Sequence, residues 1–132
     1  SDDLKNLDNL LETVRCEIGL LLVFLTAETL RRPWCAAEIT TAAATHKRVF
    51  RIMTDSFVRP SEKELEPEWI FHYVHATDLN LIELGLLPEV ISQSLLWFVL
   101  DPEIPQVNLG YSRRGTLKFH QVVDDLKRGD AT

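Results

Sequence analysis

Apolar residues recur at Leu4, Leu7, Leu10, Leu11, Val14 and Ile18, three and four apart, with Lys5, Asp8, Glu12 and Arg15 between them. That period predicts an amphipathic helix, and Ser1-Asp2-Asp3 supplies a capping hydroxyl and two acids where a helix N-terminus favours them. The four charged positions make its solvated face. The pattern then changes to a continuous apolar run, Leu20–Leu25, containing Val and Phe. A run this short and apolar on both faces predicts a parallel strand covered by helices. Residues 26–32 make a polar connection, Pro33 suits the first turn of a helix, and the helix is expected over 34–46. Arg48–Thr54, with β-branched and aromatic residues, predicts a second parallel strand. Strand, helix and strand in that order predict an α/β fold with a mostly parallel sheet.

Residues 55–67 are polar, with two prolines, and predict a surface loop carrying one helical turn opened by Ser61. The stretch 69–81 holds Ile70, Phe71, Tyr73, Val74, Leu79 and Leu81, so a last strand is expected over about 71–81. His72 and His75 are three apart there, and a zinc pair would need a helix and further ligands that the sequence does not offer. Residues 85–100, with Pro88 in the first turn, predict the closing helix, in which Trp97 and Phe98 are core residues. Two prolines, Pro102 and Pro105, stop it. The domain is therefore drawn as 1–101, with 102–132 a linker and a short amphipathic helix built on Leu117, Phe119, Val122, Val123 and Leu126. No internal repeat or low-complexity segment interrupts the chain.

A length of 132 residues suits one domain with a real core, and 45% hydrophobic with 26% charged residues is ordinary for a globular chain. The net charge of -6 supplies no basic field for a nucleic-acid backbone, so no nucleic acid is expected as a partner. Short basic clusters such as His46-Lys47-Arg48 are solvated surface, but Arg31-Arg32 precedes the 34–46 helix and is worth retaining. Two cysteines make neither a disulfide framework nor a metal site; both Cys16 and Cys35 are expected to be small buried hydrophobes in a reducing, cytoplasmic setting. The longest apolar runs are too short to cross a bilayer.

Within the 34–46 helix, spacing places Cys35, Ile39, Ala42, Ala43 and His46 on one side and Trp34, Glu38, Thr41 and Thr45 on the other. Glu38 then lies beside Trp34 near the helix start. The loop after Leu20–Leu25 opens at the carboxyl edge of the sheet, where ligands of open α/β folds bind.

The apolar strand, the threonine-containing loop and Trp34-Cys35-Ala36-Ala37-Glu38-Ile39 resemble the third strand and the Trp-Cys-x-x-Glu-Leu/Ile helix of Toll/interleukin receptor (TIR) domains. Residues 1–19 look like the end of the second TIR strand and its helix, and Arg48–Thr54 looks like the fourth strand; the resemblance weakens toward the C-terminus. It implies a partial flavodoxin-like (TIR-like) three-layer α/β fold lacking its first strand, first helix and most of the second strand. It also implies a signalling domain of the kind that hydrolyses NAD+ at the nicotinamide–ribose bond, an NAD+ nucleosidase with Glu38 as the catalytic carboxylate, Trp34 shaping the pocket and Thr26 bonding the substrate. The resemblance implies NAD+ as substrate, and no cofactor or metal is expected. Cleaving an N-glycosidic bond builds oxocarbenium character that a carboxylate stabilises. The alternative is a non-catalytic TIR-like interaction module that associates with other TIR domains or with itself. The absent first strand favours it, since a wall of the nucleotide pocket goes with that strand, and Glu38 would then be an ordinary surface or capping acid. These 132 residues alone are expected to hydrolyse NAD+ feebly or not at all, and the strand edge left open is expected to be covered by another chain or by the 117–126 helix.

Overall fold

The computed structural model describes residues 2–77 and 79–109. The fold is α/β: among the described residues a three-stranded parallel sheet, in the order β1-β2-β3, is flanked by helices, consistent with a flavodoxin-like α/β fold. The strands are β1 (Leu20–Leu25), β2 (Arg48–Thr54) and β3 (Gln106–Leu109), and the helices are α1 (Asp2–Cys16), α2 (Pro33–Ala44), α3 (Ile70–Tyr73) and α4 (Pro88–Leu100). β1 and β2 run parallel from Leu20 opposite Arg48 to Leu25 opposite Met53, joined through α2 as the sequence predicts. The sequence and structure agree on both strands residue for residue.

One face of the sheet, with Val23, Leu25 and Val49, shares a core with Leu7, Leu11 and Val14 of α1, Ile39 of α2, and Ile91, Leu95 and Phe98 of α4. α2 lies between α1 and α4, and its two-sided division is corrected. Ala36, Ala37, Ile39, Thr40, Thr41 and Ala42 are all buried, so helix and sheet neighbours enclose it on several sides, while His46 is exposed. Alanine allows this because backbones approach closely where side chains are small. Thr40 satisfies its buried hydroxyl by donating to the Ala36 carbonyl at 2.8 Å.

Three further expectations are corrected. Residues 71–81 form no strand: Ile70, Tyr73 and Val74 are buried at helical spacing, α3 makes one turn, and Leu81–Leu84 is a 3-10 helix. The third strand is β3 instead, paired parallel to β2 from Arg51 opposite Gln106, so the sheet continues past residue 101 into the stretch expected to be linker. Cys16 is exposed at the end of α1, where its thiol donates to Glu12 at 3.1 Å. The turn opened by Ser61 is present as a capping box. The Ser61 backbone N–H donates to Glu64 Oε1 at 3.0 Å, and the Glu64 N–H donates to Ser61 Oγ at 3.2 Å. The 117–126 helix lies outside the described residues.

Candidate functional site

The loop after β1 is built by threonines. Thr29 Oγ donates to the Phe24 carbonyl at 2.6 Å and accepts from the Thr26 backbone N–H at 2.9 Å, which turns the chain into the 3-10 helix Thr29–Arg31. Thr26 Oγ lies 3.0 Å from Thr29 Oγ. A hydroxyl has one proton, and that of Thr29 is committed to Phe24, so Thr26 is the donor of this pair and faces outward with acceptor lone pairs. At the same end of the sheet Thr54 Oγ donates to the Leu25 carbonyl at 2.8 Å, tying β2 to β1.

Arg32 turns the backbone into an extended conformation and Pro33 then opens α2, a position where proline costs the helix no hydrogen bond. The second turn of α2 brings Glu38 alongside β1. A cleft of about 350 Å³ lies here, between residues 21–24 of β1 and the side chains of Thr26, Thr29, Arg32, Cys35 and Glu38. On this side β1 pairs with no strand among the described residues.

Glu38 is half-buried, and burial pushes its carboxyl above the ordinary glutamate range. No hydrogen bond or ion pair engages it among the described residues. Cys35 is half-buried rather than buried; burial first, and then the Glu38 charge, push its thiol up, with Arg32 opposing, so it is no ready nucleophile. Trp34 is half-buried and packs against the core, and it does not line the cleft. Of the three residues singled out in the sequence, Glu38 and Thr26 therefore meet at one cleft while Trp34 stands apart from it. Thr29 was missed; its signal is a second threonine three residues after the first, just past a strand end.

Chemically the cleft offers an unpaired carboxylate, a hydroxyl acceptor and the exposed guanidinium of Arg32. Such a set suits a ligand with hydroxyl donors near an anionic group. No group of His, Cys, Asp and Glu among the described residues is arranged to hold a metal ion, and none of the described helices is long and apolar enough to cross a membrane. Compared with known proteins, the chain matches no family model and no curated protein.

Proposed function

We propose that the chain is a TIR-like signalling domain whose cleft beside β1 takes NAD+ and cleaves the nicotinamide–ribose bond, with Glu38 as the catalytic carboxylate. The observation that carries this reading is Glu38 itself, a half-buried carboxylate with a raised proton affinity and no protein partner among the described residues. A carboxylate held so, at a cost to the fold, is a mark of sites that use the charge. In the reaction the C1′–N bond breaks and its electron pair leaves with nicotinamide, which becomes neutral and needs no general acid. Glu38 faces the positive charge that grows on the ribose, and Thr26 accepts from a ribose hydroxyl. Water then adds at C1′ and releases a proton, giving ADP-ribose. In this reading Arg32, which lines the cleft, meets the pyrophosphate.

The test is nicotinamide release from NAD+ by the chain and by Glu38→Ala. The reading expects a slow release that falls by about a hundredfold or more in the variant, the usual scale for losing one charge-stabilising group. Equal release from both proteins, or release from neither, overturns it. A second reading, a non-catalytic module that associates with its own kind, is favoured by Leu22 and Phe24. These two apolar side chains of β1 are 37% and 49% exposed beside the strand's unpaired side. For that reading, sedimentation velocity must show an assembly that Phe24→Asp dissolves.

A further inference from the structure

The two consecutive arginines of the β1–α2 connection serve different clefts: Arg32 lines that of Glu38, while Arg31 lines a second of about 340 Å³ together with Lys63, Glu64, Trp69, His72 and Tyr73. These residues come from the segments that follow β1 and β2, the carboxyl edge at which open α/β sheets take ligands. The volume falls within the range of roughly 300–1,000 Å³ of small-molecule sites.

Arg31 is fixed on three sides. Its guanidinium lies 4.7 Å over the Tyr73 ring, its Nε is 3.5 Å from His75 Nε2, and one Nη is 3.9 Å from Glu64 Oε2. A cation already held in place loses little freedom when an anion arrives. The side chains of Lys63 and His72 have no hydrogen-bond or ion-pair partner among the described residues. The cleft thus carries the two cations Arg31 and Lys63 and an imidazole against one carboxylate, in a chain whose net charge is -6. Trp69 gives it a large apolar surface and is 50% exposed, more than is usual for an indole.

We propose that this second cleft binds a small aromatic anion, a planar ring bearing a phosphate or a carboxylate, with the ring against Trp69 and the negative group between Lys63 and Arg31. Glu64 tunes the site without belonging to the ligand's attraction. Its charge opposes an anion, while its Oε1 is occupied by the Ser61 capping box.

The experiment titrates the full 132-residue chain with adenosine monophosphate and with phenylacetate, following tryptophan emission and equilibrium dialysis, with adenosine and inorganic phosphate as half-ligands. At least one aromatic anion is expected to bind saturably in the millimolar range or tighter, and each half-ligand about tenfold more weakly. Binding by the nucleotide alone names a phosphate site, and by phenylacetate alone a carboxylate site. Lys63→Gln is expected to weaken binding about fivefold, and Glu64→Gln, which keeps the capping box and removes the charge, to tighten it by a similar factor. Trp69→Leu removes it, read by dialysis, and Glu38→Ala leaves it unchanged, which separates this cleft from the NAD+ reading above. Failure of both aromatic anions to bind saturably overturns the proposal. Binding indifferent to Trp69→Leu and to Lys63→Gln overturns it equally, as does binding lost in Glu38→Ala.

Discussion

Arg51 stands in the middle of the central strand with only 7% of its surface exposed, and its guanidinium donates to three carbonyls: Phe98 at 2.9 Å, Val99 at 3.1 Å and Ile104 at 3.3 Å. It caps the carbonyl end of α4 and holds the turn that leads into β3, so one side chain joins β2, α4 and the third strand. Its Nε is buried without a partner among the described residues, and burial lowers its proton affinity below the ordinary arginine range. Arg51→Met keeps the volume and strands the carbonyls. Denaturant unfolding is expected to show a loss of about 2–4 kcal/mol, the scale of removing one partner from a buried polar network. Glu38 shows the opposite balance. Its folded-state carboxyl holds its proton more tightly than in the unfolded chain, so the ionised form weighs against folding at pH above the folded-state value and the penalty vanishes as pH falls below the unfolded value. Glu38→Gln is therefore expected to raise Tm at neutral pH and to match the parent protein in acid. Glu38 was legible in the sequence from helical spacing and its place after an apolar strand. Arg51 was not, because the carbonyls that make its burial tolerable lie 47 to 53 residues away along the chain.

At the level of elements, β1, β2 and the long helices announce themselves through an apolar run, β-branched and aromatic composition, prolines in first turns and helical periods. The irregular pieces depend on how helices end. α2 closes with the Lys47 N–H donating to Ala42 at 2.8 Å and the His46 N–H to Ala43 at 3.3 Å, which forces His46 to a φ of 57°. α3 repeats the device, with Ala76 bonding Phe71 at 2.8 Å and His75 at a φ of 53°. This left-handed closure ends the apolar stretch 69–81 as a helix rather than a strand, and a histidine at the position gives weaker warning than the glycine usually found there. Gly85, with a φ of 78°, does carry that warning before α4. The exposed His46 can be replaced without loss of core packing. His46→Gly is expected to stabilise the chain by about 0.5–1 kcal/mol in thermal unfolding, since glycine meets no Cβ penalty in this region.

Across the molecule, parallel strands deliver all their following loops to one edge; the Glu38 cleft is built from the single segment 21–39, and the second cleft from segments that no local pattern connects. The fold class was readable from the alternation of strands and helices. β3 was hidden because Gln106–Leu109 is short, half polar and preceded by two prolines, and it becomes a strand only by pairing with β2. The clefts were half readable: Thr26 and Glu38 stood out, whereas Arg31, Trp69 and Tyr73 meet only after residues 55–69 fold back on the β1–α2 connection. The central claim is that Glu38 is a partnerless carboxylate aimed into an NAD+ cleft, and carbon-detected NMR titration of the glutamate carboxyls tests it most directly. Glu38 is predicted to titrate above the ordinary glutamate range, and its resonance and midpoint are predicted to move saturably when NAD+ is added. A Glu38 that titrates with the exposed glutamates and does not respond to NAD+ would contradict the account.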